Sequence, residues 1–296
     1  MDGRAGLRMS GHVVYQQVNK DHAFWSEKRR HGQRGGGHTS GLLTHLIDGT
    51  AVTNLLFDVG LGTIEGLCDL AAFRWDWPLD IFLTHAHIDH HAELTLLAEQ
   101  WCVRGAAERR GPVSVRATEL TLNAVIPTHA HGFGAGHTLN PVSVTPERTQ
   151  TVGVFRVSAL AVDHFPGAVI YVVEFGRNKI IIGWDLKTPP SPVEHPVLLR
   201  PSLALLEANT WTAQSAHTGH TSVEELVESG FLRELRVAEA SGARHGIYLV
   251  HYSGYEDPGG ALSDQEMALR FEREYPEYSG WVGAAARGQS WRFEIA

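Results

Sequence analysis

Apolar positions along the chain fall into short runs broken by glycine-, proline- and histidine-bearing turns, which predicts many strands and few long helices. Residues 13–18 alternate loosely and read as a first strand. Residues 40–46 and 53–57 read as paired strands, the second apolar and ending at Asp58. A turn and a short helix follow over 60–70, then a brief apolar strand over 80–83 that runs straight into a histidine-rich segment. Leu94, Leu97 and Ala98 give 91–100 helical spacing. A strand is expected over 113–115 and a helix over 119–125, whereas 129–137, rich in Gly and His, reads as a loop. From Val152 the chain alternates through Phe155, Val157, Ala159 and Ala161, and 168–175 and 179–183 flank Gly176-Arg177-Asn178 as a hairpin. Further strands are expected at 203–207 and 246–251, and helices at 222–228, with Thr221 or Ser222 as N-cap, and at 264–275. The end, 281–295, reads as two closing strands. Strands followed by interleaved strands and helices, twice over, suit two packed sheets with helices outside.

Composition narrows this picture modestly. A chain of 296 residues, 43% hydrophobic and 20% charged, can bury a full core, and candidate chemistry spread along its length favours one domain over 1–296, with 1–11 a candidate disordered lead. A formal net charge of -8 argues against a generic nucleic-acid-binding face. Cys68 and Cys102 are the only cysteines and have no metal-ligand spacing, so they read as ordinary thiols in a reduced setting. No apolar run approaches the roughly 18 residues of a membrane span, and the opening segment lacks an apolar stretch, so a cytoplasmic location is expected. Histidine is the outlier at 18 copies, and with so few cysteines it points to nitrogen and oxygen metal ligation.

The positions of those histidines carry the argument. Thr84-His85-Ala86-His87-Ile88-Asp89-His90-His91 directly follows an apolar strand and opens a helix. In extended chain His85 and His87 point the same way, and Asp89 and His90 beside them can face a second centre. The bland reading, a polar turn with satisfied histidines, does not account for four ligand-type residues within six positions.

His85-x-His87-x-Asp89-His90 resembles the signature of the metallo-β-lactamase superfamily, and further matches follow in that superfamily's order. They are Phe57-Asp58-Val59-Gly60 before it, then Val162-Asp163-His164, Ile182-Gly183-Trp184-Asp185 and Leu249-Val250-His251 after it. The resemblance spans the chain from about residue 35 to its end and implies an α/β fold, an αββα sandwich of two packed mixed sheets with outer helices. It implies two divalent metal ions, zinc first and manganese as the alternative. His85, His87 and His164 would hold one ion, Asp89, His90 and His251 the other, and Asp185 would bridge them, while Asp58 is structural and holds the histidine loop. Imidazole and carboxylate donors suit zinc, and two cations sharing a water lower its pKa from about 15.7 towards 7, so the bridging hydroxide is the implied nucleophile.

A second constellation selects among the hydrolases of this superfamily. Leu206-Glu207-Ala208-Asn209-Thr210-Trp211 and His217-Thr218-Gly219-His220-Thr221-Ser222 resemble the paired motifs of the tRNase Z group of phosphodiesterases, with Leu206 in place of that group's first histidine. Leu249-Val250-His251-Tyr252-Ser253 is similar to a third motif of the group. A phosphodiester leaves as an alkoxide and needs a proton, so Glu207 would orient His220 and raise its pKa, and His220 would donate. Catalysis is therefore assigned to Asp89, Glu207 and His220; the bland alternative is a helix-capping loop with a surface His and a buried Glu.

The tRNA-processing members carry a long arm between the third histidine motif and the bridging Asp, and the roughly twenty residues between His164 and Asp185 leave no room for one. Stable nucleic-acid binding is not expected. A small phosphodiester or nucleotide is the expected substrate, a cyclic nucleotide the specific expectation, and related phosphodiesterases suggest a homodimer. The rival readings are a tRNase Z-like RNA 3′ endonuclease and a lactonase or acyl hydrolase on the same fold. Arg30 and Arg34, within a Lys28-Arg29-Arg30 cluster, and His217 are the candidate substrate-binding residues, against the alternative of a solvated charge run. The His129–His131–His137 segment, with Phe133, is a candidate base cover or a surface insertion, and no metal is assigned to it.

Overall fold

A computed structural model describes residues 11–19, 38–70, 73–104, 111–213, 219–235, 246–253 and 262–295. Arg30, Arg34 and His217 lie outside the described residues.

Among the described residues, fourteen strands form two seven-stranded sheets. The first has the order β14-β1-β2-β3-β4-β5-β6: Ser290–Glu294, Gly11–Asn19, Ser40–Ile47, Thr50–Phe57, Asp80–Phe82, Val113–Ala117 and Leu139–Ser143. The second has the order β13-β12-β11-β10-β9-β8-β7: Val282–Ala284, Ile247–Val250, Leu203–Glu207, Asn178–Gly183, Val169–Phe175, Phe155–Ala161 and Thr149–Val152. Each is mixed in the same way. β14 to β3 pair antiparallel and β3 to β6 parallel, and β7 to β10 pair antiparallel and β10 to β13 parallel.

The parallel strands are apolar because both of their faces are covered. Phe57, Phe82, Ile180, Ile182, Leu205 and Val250 meet in the core between the sheets. The alternate residues Leu56, Ile81 and Val115 pack outward under α1 (Thr63–Asp69), α2 (Leu94–Arg104) and α3 (Glu119–Thr128). On the other side Ile181, Ala204, Leu206 and Leu249 pack under α5 (Val223–Glu228), α6 (Phe231–Leu235) and α7 (Asp264–Glu274). The result is an αββα sandwich, as expected.

One local reading is corrected. The segment 129–137 is not wholly loop, because Ala130–Phe133 forms the short helix α4 and Phe133 packs against the outer core of the first sheet. The two closing strands expected over 281–295 are present, in different sheets: β13 extends the second sheet beside β12, and β14 the first beside β1. Leu139–Ser143 and Thr149–Val152 are strands that apolar alternation did not reveal, as β6 exposes most of its length at a sheet edge. No described helix is long and apolar enough to cross a membrane.

Candidate metal centre

The candidate residues sit at one end of the sandwich, just past the carboxyl ends of strands. Asp58 follows β3, His85 to His90 follow β4, and His164 follows β8. Asp185 follows β10, Glu207 ends β11 and His251 follows β12. Open sheets with parallel strands place sites at this end because loops leaving adjacent strands diverge there.

The backbone is unusual at three of these positions. Asp58, Asp185 and His251 have φ of 56°, 51° and 61°, the left-handed region that costs a non-glycine residue about 1–2 kcal/mol. Asp58 and His251 are the first residues past their strands and Asp185 the second, so the twist turns each side chain away from the strand's alternation and towards the site.

A web of hydrogen bonds fixes the histidine loop. Asp58 accepts the Thr84 amide at 2.8 Å and the Thr84 hydroxyl at 2.7 Å. His90 Nδ1 lies 2.7 Å from Asp58 Oδ2 and donates to it. Thr84 Oγ1, having given its proton to Asp58, accepts from His85 Nδ1 at 3.0 Å. Glu93 accepts the amides of Gly62 and Ile64, both at 2.8 Å, which ties the loop to the start of α1. Gly60 is obligatory, since a Cβ there would lie 1.8 Å from the Asp89 carbonyl oxygen.

The partners of the remaining histidines set their tautomers in the same sense. His164 Nδ1 donates to the Gly219 carbonyl in a short bond. His251 Nδ1 pairs with Thr39 Oγ1 at 2.7 Å. In His85, His90, His164 and His251 Nδ1 is thus engaged from behind, and Nε2 is the atom presented to the centre.

What those atoms present is a close cluster of donors. His164 Nε2 lies 3.2 Å from His85 Nε2 and 3.1 Å from His87 Nδ1. Two nitrogens sharing a tetrahedral zinc at its usual bond length are separated by about 3.3 Å. The ligand atoms of His85, His87 and His164 lie within 4.8 Å of one another, as do those of Asp89, His90 and His251. His85, His90 and Asp185 form a third such group that joins the two. Asp185 Oδ2 is 2.7 Å from His90 Nε2, and Oδ1 is 2.7 Å from His251 Nε2. His90 Nε2 and both Asp185 oxygens are nevertheless buried without a hydrogen bond of acceptable angle among the described residues. Atoms this close but not aligned with one another are aimed at a common centre, which fits a donor set for cations.

The electrostatics of the three-histidine group agree. Burial pushes His85 well below its ordinary pKa, and burial also lowers His87 and His164, so these rings are neutral and able to ligate. For His90, burial is outweighed by the charges of Asp185 and Asp58, which hold it well above the ordinary value. Asp185 is held well below the carboxylate range, its burial outweighed by His251 and His90.

Beside this cluster stands a Glu–His pair. Glu207, fully buried, takes the His220 Nδ1 proton in a short hydrogen bond and accepts the Leu186 amide through its other oxygen at 2.6 Å. His220 Nδ1 is also 3.2 Å from Asp185 Oδ1, and its ring centroid is 4.7 Å from that of His164. Burial pulls its pKa down, but Glu207 and Asp185 push it up to about 10. The loop carrying it is pinned downstream by a capping box between Ser222 and Glu225, so Ser222 is the N-cap.

The structure therefore brings together Asp58, His85, His87, Asp89, His90, His164, Asp185, Glu207, His220 and His251. The sequence reading missed their supports Thr39, Thr84, Glu93 and Gly219, and also Phe165, whose ring centroid lies 4.5 Å from that of His87. The only signals for these are adjacency to a ligand, as with Thr84 and Phe165, or a glycine beside a candidate acid.

A family model described as a beta-lactamase superfamily domain matches residues 53–248. Among curated proteins no sequence matches this chain. Among solved structures, zinc-bound PqqB from Methylobacterium extorquens is similar at 16% identity and a TM-score of 0.67, over 95% of this chain and 99% of that one. A diphosphatase from the PhnP family is similar at 17% identity and a TM-score of 0.65, over 96% and 98%. The short form of human tRNase Z is similar at 16% identity and a TM-score of 0.64, over 94% and 98%.

Proposed function

Because the chain belongs to the β-lactamase superfamily, we propose that it is a metal-dependent hydrolase, a phosphodiesterase with two divalent cations that acts on a small phosphodiester, best a cyclic nucleotide. His85, His87 and His164 would hold one cation and Asp89, His90 and His251 the other, and Asp185 would contribute to both. Zinc is favoured by the nitrogen-rich donor set and by the zinc-bound PqqB that shares this fold. Bound cations supply an acidified water and Lewis acidity towards substrate oxygens.

The observation that carries the phosphodiester reading is the Glu207–His220 pair at the edge of the donor cluster. Glu207 holds the Nδ1 proton and stabilises the positive charge of the ring, which leaves Nε2–H as the proton that can pass to a leaving alkoxide. An acyl or lactam substrate with a less demanding leaving group has little need of such a pair. The span between His164 and Asp185 holds only the β9–β10 hairpin, which supports a small substrate over a folded RNA. Diphosphatase and tRNase Z neighbours with this fold are consistent with phosphorus–oxygen bond cleavage. Phe165, 37% exposed beside His87, offers a flat apolar surface that suits a nucleobase.

The test is chromatography of products after zinc- or manganese-loaded protein is incubated with 3′,5′- and 2′,3′-cyclic nucleotides. Conversion to linear monophosphates that is lost in His220→Ala, with metal content retained, supports the reading. Intact cyclic nucleotides alongside bound metal would overturn the substrate, and absence of bound metal would overturn the whole assignment.

A further inference from the structure

Two buried histidines outside the donor cluster face each other behind the histidine loop. His91 Nδ1 lies 2.9 Å from His129 Nε2. The other nitrogen of His91, Nε2, lies 3.1 Å from the carbonyl oxygen of Ala86, the residue between His85 and His87. The other nitrogen of His129, Nδ1, lies 2.8 Å from Thr95 Oγ1 at the start of α2. A carbonyl only accepts, so His91 carries its proton on Nε2. In neutral rings the remaining protons then follow in one direction: His129 Nε2 donates to His91 Nδ1, and the Thr95 hydroxyl donates to His129 Nδ1. Burial and the neighbouring ring lower His129 to about 4, and burial lowers His91, which is consistent with two neutral imidazoles.

This series of hydrogen bonds ends on the carbonyl of Ala86, the peptide that links His85 to His87. His129 reaches it from the junction of α3 and α4, where Pro127 lies inside the last turn of α3. The α3–α4 junction, more than 30 residues downstream, is thus tied to the histidine loop and to the neighbouring first turn of α2.

Resting on the metal-binding reading above, we propose that His129 is a positioning residue: through His91 it fixes the Ala86 carbonyl and so preorganises His85 and His87 for the cation they share with His164. His129 touches none of Asp89, His90 and His251, and its path through the Ala86 carbonyl leads to His85 and His87, so the larger effect falls on the ion these two share with His164. Outer partners of metal ligands typically change affinity by about 10–100-fold.

The test uses the metal-loaded full chain, with zinc retention followed by native mass spectrometry during titration with a chelator. His129→Leu keeps apolar volume but no donor, and it should convert the two-zinc protein to a one-zinc species at roughly 10–100-fold lower chelator than the parent needs. His129→Gln, with an amide to donate to His91 and an oxygen to accept from Thr95, should restore most of that retention. Should His129→Leu fail to fold, Thr95→Val removes the outermost donor from an accessible position and should weaken the same ion. Unchanged retention, parallel loss of both ions, or failure of Gln to restore would each overturn the proposal. A parent protein that binds no zinc would overturn the metal-binding reading itself.

Discussion

Asp58 Oδ2 lies 2.7 Å from His90 Nδ1, and both side chains are fully buried. The same carboxylate accepts two hydrogen bonds from Thr84, so all three donors depend on an acceptor-only group. Asparagine has the same shape but would turn an N–H towards one of them. A buried donor left facing a donor costs about 1–3 kcal/mol. Asp58→Asn should therefore lower thermal stability by that amount and weaken metal binding by about 10–100-fold through the lost orientation of His90. Denaturant unfolding and chelator competition measure the two effects, and an unchanged metal affinity would mean that Asp58 serves folding alone.

The charge on Glu207 sets the working range of His220. A group that donates a proton is active below its pKa, so activity falls as pH rises through that value. Glu207 raises the His220 pKa. Glu207→Gln keeps an acceptor for the Leu186 amide but loses the charge, so the alkaline limb of kcat should move to lower pH. An alkaline limb that stays in place would assign that limb to another group. Substrates with a nitrophenolate leaving group need little protonation and should show a much smaller loss.

Gly219 has φ of 101° and gives its carbonyl to His164 Nδ1. A Cβ there would sit 3.2 Å from that same nitrogen, on a backbone that L-residues rarely adopt. Gly219→Ala should displace the carbonyl, release His164 from its tautomer and reduce zinc retention at the three-histidine group. Because His220 is the next residue, turnover should fall as well. Zinc content near that of the parent with normal turnover would show that the loop absorbs the strain.

Much of this site was legible because its donors sit in short, ordered motifs. His85, His87, Asp89 and His90 are nearly contiguous, and short continuous apolar runs end beside Asp58, Asp185 and His251. What the sequence hides is direction. The left-handed backbone at those three strand ends turns side chains that simple alternation would send elsewhere. The placing of β13 and β14 in different sheets is equally hidden, since it is set by long-range pairing with β12 and β1 and not by local pattern. His129 was misjudged for a related reason. Gly and His neighbours suggest an exposed loop, yet its ring is buried against His91, a partner 38 positions earlier in the chain.

Phe165 gives the substrate reading its sharpest remaining test. Its ring stands 4.5 Å from that of His87 and remains 37% exposed, an arrangement that leaves an aromatic face beside the donor cluster. Stacking of a base on an aromatic side chain is worth about 1–3 kcal/mol, or roughly 5- to 150-fold in binding. Phe165→Ala should raise KM for cyclic nucleotides by a factor in that range, and leave kcat nearly unchanged because it removes neither the proton donor nor any ligand atom. A phosphodiester without a base, such as bis(4-nitrophenyl) phosphate assayed beside a nucleoside 4-nitrophenyl phosphate, separates the contribution of the base from that of the leaving group. An increase in KM confined to the nucleoside substrate places the base on Phe165. An equal increase for both would mean that the ring packs on the leaving group, and the nucleotide preference would then have no aromatic support at this position.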